Sequence, residues 1–162
     1  MVRTHLLLGS NKGDRQLYLD TAQMRIAELG IIASKSSVYE TAAWGNTDQP
    51  SFLNQVLALD TMLDPFALMR KLQAMETDLG GVRAEKWGAR TLDIDILLFG
   101  RIVIEHDDLM IPHPALPLRR FSLVPLAEIA PELIHPIERV SIAELLERCE
   151  DALEVIKVSG NA

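Results

Sequence analysis

The chain has a single cysteine and no long apolar run. Because Cys149 is alone among 162 residues, an intramolecular disulfide is excluded, and the apolar residues around it predict a buried small hydrophobe rather than a nucleophile. The apolar run at residues 6–8 ends at once in a Gly-Ser-Asn turn sequence, so we expect neither a signal peptide nor a membrane span. These shortages favour a cytoplasmic protein.

Basic residues are also scarce. The chain has 16 Lys and Arg against 23 Asp and Glu, which gives a net charge of -7. A nucleic-acid surface needs positive charge over the whole domain, so we expect no nucleic-acid partner. The positive charge that exists lies in two short segments and suits the capture of one small polyanion, such as a nucleotide. These segments contain Arg83, Lys86, Arg90, Arg119 and Arg120.

The length and the apolar content are those of one domain. A chain of 162 residues with 48% hydrophobic residues can fill one substantial core. The sequence has no repeat, low-complexity tract or linker, so we expect residues 1–162 to form a single domain. No sizeable apolar stripe indicates a self-association surface, and we therefore expect a monomer.

Apolar periodicity predicts elements in the order β-α-β-β-α-β. This order is typical of an α+β fold with a ferredoxin-like core, a mostly antiparallel sheet with helices packed on its faces. C-terminal additions follow: a short strand near residues 102–104, a proline-rich segment through Pro131, and a helix opened by the capping box of Ser141 and Glu144. The predicted core strands cover residues 4–8, 31–39 and 52–61 and begin again at Thr91, and the predicted helices contain the apolar stripes of residues 19–29 and 68–79.

Two aspartates carry the clearest chemical signal. From Thr91 onward apolar and polar residues alternate as in a strand, which places Asp93 and Asp95 on one face. Their α-carbons would lie roughly 7 Å apart, so the two carboxylates can hold one or two Mg²⁺ ions together with phosphate oxygens. An Asp-x-Asp sequence alone is more often a solvated strand face than a metal site. The opposite face would carry Leu92, Ile94, Ile96 and Leu98.

The neighbouring residues favour the metal interpretation. Residues 96–99 continue the strand as an unbroken apolar run, which predicts a central strand covered on both faces. Carboxylates on such a strand need a partner. Arg83, Lys86 and Arg90 precede the strand, and arginine suits the geometry of phosphates while a metal ion takes the carboxylates.

Four blocks of sequence together resemble one known family. They are the Leu-Leu-Gly-Ser-Asn turn at residues 7–11, the segment Asp-Gln-Pro-Ser-Phe-Leu-Asn at 48–54, the signature Lys-Trp-Gly-Ala-Arg-Thr-Leu-Asp-Ile-Asp at 86–95, and Pro-His-Pro at 112–114 followed by Arg119 and Phe121. In this order they resemble the 6-hydroxymethyl-7,8-dihydropterin pyrophosphokinases (HPPK) of folate biosynthesis, over nearly the whole chain. The resemblance implies transfer of a pyrophosphoryl group from ATP to a pterin alcohol, with two Mg²⁺ ions and release of AMP.

The resemblance also implies a pterin pocket. Asn54 would offer its amide to the donor and acceptor edge of the pterin, and Phe52 and Phe121 would stack on the two sides of the flat ring. Backbone groups of the preceding segment would complete the pocket. The implied residues are Thr41, Ala43, Trp44, Phe52, Asn54 and Phe121.

On the ATP side the resemblance implies a basic loop that closes over the nucleotide. Catalytic roles would fall to Arg83, Arg90, Asp93 and Asp95, of which the two aspartates would bind the metal ions. Glycines at 80, 81 and 88 would let the loop move. The implied ATP-binding residues are Gln73, Glu76, Arg83, Lys86, Trp87, Arg90, Ile96, His113 and Arg119.

The chain departs from the family pattern at a few positions. Gly81 stands where the family usually has an arginine, so one phosphate contact would be either absent or supplied by Arg83 or Arg120. Pro114 stands where some members have tyrosine, which would shift the adenine-side contacts. Prolines of the family are replaced in the loops at Ala42, Ala43 and Ala89. None of these changes removes a metal ligand, so we expect an active enzyme.

Two other functions remain open from the residues alone. A small metal-dependent phosphohydrolase would use Asp93 and Asp95 to activate water, and it would not need a pterin. A non-catalytic ligand-binding module on a ferredoxin-like sheet would bind without turnover, and Asp95→Ala would leave its ligand affinity unchanged.

Overall fold

The computed structural model describes residues 1–42, 50–80 and 91–158. In these ranges the chain forms a mixed α+β structure, in which two short 3₁₀ turns accompany the regular elements. The strands are β1 (Val2–Ser10), β2 (Gly30–Lys35), β3 (Tyr39–Thr41), β4 (Phe52–Thr61), β5 (Asp93–Phe99), β6 (Ile104–Glu105), β7 (Met110–Ile111) and β8 (Val155–Lys157). The helices are α1 (Arg15–Ile26), α2 (Pro65–Gly80), α3 (Arg120–Ile129) and α4 (Ile142–Arg148).

The main sheet is antiparallel and has the predicted ferredoxin-like order. Its strands follow one another as β5-β1-β4-β3-β8, and β2 also pairs with β4. β1 and β4 form its centre and pair over nine residues, from Val2↔Thr61 to Ser10↔Leu53. The predicted fold class is therefore confirmed. Within the described ranges, no helix has the length and apolar content needed to cross a membrane.

Helices α1 and α2 cover one face of the sheet, which we call the first face. Asp14 caps α1 by accepting from the Leu17 amide at 3.1 Å, and the side chain of Asp64 accepts from the Ala67 amide at 2.9 Å at the start of α2. The helices bury apolar stripes against alternate residues of β1, β4 and β5. The closed core on this face includes Leu6, Leu8, Leu19, Ile26, Leu57, Leu59, Leu68, Leu72, Ile94 and Ile96.

The second face is covered by α3 and α4, which come from the C-terminal additions. The predicted α4 is confirmed, because Ser141 Oγ accepts from the Glu144 amide at 3.1 Å. Helix α3 was not predicted, since Pro125 inside it obscures the helical pattern. The core on this face contains Leu7, Val56, Leu97, Leu98, Leu116, Leu123, Leu126, Ile142 and Leu145. Cys149 is half-buried and packs against this core, as a small apolar residue.

The strand predicted at residues 31–39 is wrong as a single element. The structure divides it into β2 and β3. Between them the Val56 amide of β4 donates to Ser36 Oγ at 2.9 Å, so a side chain takes the place of the backbone carbonyl that a continuous strand would offer. The short strand predicted at residues 102–104 lies instead at Ile104–Glu105 and pairs with β7. Strand β8 was not predicted from the sequence, and it pairs with β3.

Two predictions about the aspartate strand are wrong. β5 lies at the edge of the sheet, not at its centre. The pairing of β5 with β1 shifts between His5↔Leu98 and Leu6↔Ile96, a bulge that turns Leu98 onto the second face beside Leu97. Contrary to the predicted alternation, Leu98 therefore does not share a face with Ile94 and Ile96.

Candidate active site

The two aspartates lie on the second face, at the end of the sheet that the apolar core of this face does not cover. Asp95 is paired with Leu7 of β1, and Leu7 belongs to the second-face core. Asp93 is paired with Gly9, two residues further along the same strand. Both side chains are half-buried. We call Asp93 and Asp95 the carboxylate pair.

Gly9 connects the carboxylate pair to the predicted pterin residues. It pairs with Asp93 on one side and with Asn54 of β4 on the other, so that the three residues form one row across the sheet. Adjacent strands are roughly 4.8 Å apart, which separates the α-carbons of Asp93 and Asn54 by about 10 Å. A Cβ atom at Gly9 would lie only 2.8 Å from Asn54 Nδ2 and 3.5 Å from the Phe52 ring. The row therefore needs glycine at its centre.

The amide of Asn54 is held in one orientation. Its Oδ1 accepts from Thr41 Oγ1 at 3.2 Å, and its Nδ2 donates to the Leu8 carbonyl oxygen at 3.3 Å. Asn54 is only 3% exposed. Since a carboxamide has two N–H donors and two acceptor lone pairs, one donor and one acceptor position remain for a ligand.

A cavity of about 360 Å³ runs along the free edge of β5. Six residues predicted from the sequence line it together: Gln73, Glu76, Asp93, Asp95, Ile96 and His113. The β6–β7 hairpin contributes residues that the sequence analysis missed, among them Asp107, Asp108 and Met110. Pro114, at which the resemblance implies tyrosine in some members, also lines this cavity.

Glu76 of α2 closes part of the free strand edge. Its Oε2 accepts from the Ile94 backbone amide at 2.7 Å. An edge strand presents backbone groups without a neighbouring strand, and a carboxylate is a strong acceptor for one of them. Glu76 therefore fixes the position of β5 between the two aspartates.

His113 is held by its backbone and its ring. Its amide donates to the Leu97 carbonyl oxygen at 2.9 Å, and its Nδ1 accepts from the Ala115 amide at 3.1 Å. In the neutral ring the proton must then be on Nε2, which lies 3.9 Å from Asp95 Oδ2. Burial, assisted by the charge of Arg119, lowers the pKa of His113 to about 4. The imidazole consequently presents an N–H donor beside the carboxylate pair.

Arg119 is half-buried and places a positive charge beside the same aspartates. Its guanidinium stacks over the Phe121 ring, with Cζ 4.5 Å from the ring centroid. Nε and Nη2 are buried and have no hydrogen-bond partner among the described residues. Burial lowers the pKa of Arg119, while the charges of Asp95 and Asp93 raise it. Buried donors without a partner are unfavourable, so the arrangement suits a bound anion.

Several predicted site residues lie outside the described ranges. They are Ala43 and Trp44 on the pterin side, and Arg83, Lys86, Trp87 and Arg90 of the basic loop, together with the departures Gly81 and Ala89. Ala42 is described and is exposed.

The donors near the carboxylate pair suit a hard cation. Among the described residues, no group of three or more His, Cys, Asp or Glu side chains could hold a metal ion. Mg²⁺ usually binds one or two carboxylates and takes its remaining oxygens from water and from substrate phosphates. The carboxylate pair meets that requirement, because the cavity leaves space beside it for other oxygen ligands.

The fold and the site define a class of α+β protein in which a ferredoxin-like sheet presents paired carboxylates to one cavity, with a half-buried arginine beside the carboxylates. Comparison with known proteins identifies the family. The family model for 7,8-dihydro-6-hydroxymethylpterin-pyrophosphokinase (HPPK) matches residues 5–131. The chain belongs to the HPPK family, and the predicted resemblance is confirmed.

Named relatives agree with the family model. The 2-amino-4-hydroxy-6-hydroxymethyldihydropteridine pyrophosphokinase of Aquifex aeolicus is 44% identical over 144 residues, 89% of this chain and 90% of that protein. The enzyme of the same name from Bacillus subtilis is 43% identical over 131 residues, 80% of this chain and 78% of that protein. The prediction of a pyrophosphokinase is thereby confirmed at the level of the family.

Solved structures share the fold. A crystal structure of an HPPK-DHPS in complex with substrates matches with a TM-score of 0.72 and 15% identity, over 91% of this chain and 43% of that chain. The wild-type Plasmodium falciparum HPPK-DHPS with SDX-DHP matches with a TM-score of 0.68 and 17% identity, over the same shares. This chain spans less than half of either longer protein.

Proposed function

We propose that this chain transfers pyrophosphate from ATP to 6-hydroxymethyl-7,8-dihydropterin, giving AMP and the pterin diphosphate. The observation that carries the proposal is the row of Asp93, Gly9 and Asn54 across the sheet. It sets a carboxylate for metal-bound phosphates about 10 Å from an amide with one donor and one acceptor position to offer. A substrate with a flat, polar ring and a reacting alcohol can span that row.

The proposed pterin site lies at the Asn54 end of the row. Asn54 binds the polar edge of the ring, and Phe52 and Phe121 stack on the ring. Thr41 acts through Asn54, whose amide it orients. Ala43 and Trp44 belong to the same proposed pocket on the resemblance alone.

ATP is proposed to occupy the cavity along the edge of β5. Gln73, Glu76, Ile96 and His113 line this cavity. His113 and Arg119, whose charge acts on both aspartates, are proposed to donate to phosphate oxygens. The buried Nε and Nη2 donors of Arg119, which have no hydrogen-bond partner in the part of the chain that the structure describes, support this assignment. Arg83, Lys86, Trp87 and Arg90 are proposed to close over the triphosphate, as in the family.

The carboxylate pair is proposed to hold two Mg²⁺ ions, which when bound neutralise phosphate charge and orient the attacking alcohol. The pterin oxygen forms a bond to the β-phosphorus, the bond between that phosphorus and the α-phosphate oxygen breaks, and the hydroxyl proton passes to solvent. The protein's contribution is alignment and charge stabilisation. Arg119 and Arg90 supply positive charge, and His113 a neutral donor.

One chain contains every described residue of the site, so we propose that a monomer is active. ATP and reduced pterins are compounds of the cytoplasm, where we propose that the enzyme works.

The test is AMP release from ATP and Mg²⁺, with and without 6-hydroxymethyl-7,8-dihydropterin, for the native chain and for Asp95→Ala. We expect pterin-dependent AMP that disappears in the variant, and undiminished activity in Asp20→Ala, which removes an exposed carboxylate from the outer side of α1. Phosphate or AMP released without pterin would support the phosphohydrolase instead. Pterin binding without turnover, unchanged in Asp95→Ala, would support the binding module.

A further inference from the structure

Arg15, the first residue of α1, ties two neighbouring strands together. Its Nη1 donates to Glu40 Oε2 at 2.8 Å, to the Ser51 carbonyl oxygen at 3.0 Å and to Ser51 Oγ at 3.1 Å. Ser51 Oγ donates in turn to the same Glu40 oxygen at 2.7 Å. We call these three residues the arginine clamp.

The arginine clamp lies directly beside the proposed pterin site. Glu40 precedes Thr41 in β3, and Ser51 precedes Phe52 in β4. The pairing of the two strands ends at Thr41↔Phe52, so the clamp holds the chain where that ladder stops. Because Thr41 orients the Asn54 amide, a shift of this strand end would reach three pterin-side residues at once.

A second contact ties the same region to the segment before α1. Asn11 Nδ2 donates to the Pro50 carbonyl oxygen at 3.1 Å, one residue before Ser51. Asn11 is almost fully buried, at 1% exposure. The entry to β4 is therefore attached to both sides of the turn that joins β1 to α1.

The arginine clamp is suited to positioning more than to global stability. The side chains of Arg15 and Glu40 are 30% and 42% exposed, and partly exposed ion pairs add little to the free energy of unfolding. Four hydrogen bonds that share two charged groups do, however, restrict local geometry. In agreement with close contact, the hydrogen bond from Arg15, and then that from Ser51, lower the pKa of Glu40.

We propose that Arg15 is a positioning residue for the pterin: it holds the ends of β3 and β4 so that Thr41, Phe52 and Asn54 keep the geometry that the ring requires. The inference rests on the proposed function and deepens it. Arg15 does not itself touch the reacting atoms, so its effect falls on pterin affinity more than on ATP affinity or on the chemical step.

The test compares kcat and the KM for each substrate in the native chain, Arg15→Ala and Arg15→Lys. We expect Arg15→Ala to raise the pterin KM about tenfold while the ATP KM and kcat change less than about twofold. All three contacts of Arg15 come from the single atom Nη1, so the ammonium of Arg15→Lys can keep the charge and part of these contacts, and an intermediate increase of about threefold is expected.

Arg25→Ala is the matched control. Arg25 lies on the same helix and forms an exposed ion pair with Asp78 of α2 at 3.1 Å, away from β3 and β4. We expect it to leave both KM values unchanged. If Arg15→Ala fails to fold, Glu40→Gln and Ser51→Ala test the same clamp with Arg15 in place, each with an expected rise in pterin KM of about threefold.

The outcomes separate the inference from the proposed function. A native chain that forms no pterin-dependent AMP and binds no pterin overturns both. An active native chain whose pterin KM is the same in Arg15→Ala overturns the inference alone, as does an equal rise in both KM values. A rise confined to the pterin KM, partly restored by lysine, supports it.

Discussion

The two faces of the sheet are made from the same strands and behave differently. On the first face, apolar residues of β1, β4 and β5 continue along the strands under α1 and α2. On the second face the apolar rows stop: Leu7 is followed by Gly9, Val56 is preceded by Asn54, and Leu97 by Asp95. Gly9 is paired with Asn54 and with Asp93, and Asp93 and Asp95 lie on the same face of β5. Three short changes in sequence therefore create one continuous polar site. The candidate active site therefore lies where the apolar core of the second face ends.

The largest expected effect separates function from stability on the second face. Arg119→Ala should lower kcat by about 10³-fold, the scale of an arginine that stabilises charge in phosphoryl transfer. The free energy of unfolding should not fall, since the substitution removes two buried donor atoms, Nε and Nη2, that have no hydrogen-bond partner among the described residues. AMP formation and urea unfolding measure the two effects. Arg148→Ala, which removes an exposed arginine of α4, should change neither, and a kcat within a few-fold of native in Arg119→Ala would contradict the role of this residue.

A substitution in the core of the first face should instead lower stability and leave kcat nearly unchanged. Leu59 is fully buried beneath the helices. Leu59→Ala should lower the free energy of unfolding by about 3–4 kcal/mol, through lost burial and the cavity that remains. At temperatures where the variant is folded, the kcat per folded molecule should be close to native. A kcat per folded molecule well below the native value would contradict this separation of the two faces.

A third effect is the pH dependence of the free energy of unfolding that arises from the buried His5. His5 lies two residues before Leu7, and burial lowers its pKa to about 4 from about 6.5 in the unfolded chain. Because the unfolded state takes up the proton first, stability should fall as the pH is lowered from about 6.5 towards 4, by about 3 kcal/mol in all. His5→Gln should remove this part of the pH dependence. Urea unfolding at several pH values measures it, and parallel curves for the two proteins would refute the assignment.

The smallest expected effect lies at the centre of the polar row. Gly9→Ala would put a methyl group 2.8 Å from Asn54 Nδ2, so the amide must move. We expect the pterin KM to rise about tenfold, which corresponds to about 1.4 kcal/mol, with a smaller change in the ATP KM. Direct pterin titration measures the loss of affinity. An unchanged titration would show that Asn54 has room to shift without affecting the ligand.

The sequence analysis succeeded where local pattern and tertiary environment agree. The alternation from Thr91 identified the strand and the shared face of the carboxylate pair, and the stripes of α1 and α2 identified the covered first face. It failed where one residue changes the geometry. The bulge at Leu97 reverses Leu98, and Pro125 conceals α3, which supplies the second cover and carries Phe121 in its first turn.

The sequence by itself determined the family, the order of the core elements and the presence of two adjacent carboxylates, because these depend on residue types at short spacing. Only the tertiary structure decided that Gly9 lies between Asp93 and Asn54. It also decided that Nε and Nη2 of Arg119 are buried without a hydrogen-bond partner among the described residues, and that Arg15 joins β3 to the residue before β4. Each of those facts depends on strand register or on contacts between residues far apart in the chain. Such contacts arise only when the sheet and its two layers of helices pack together, and local periodicity carries no record of them.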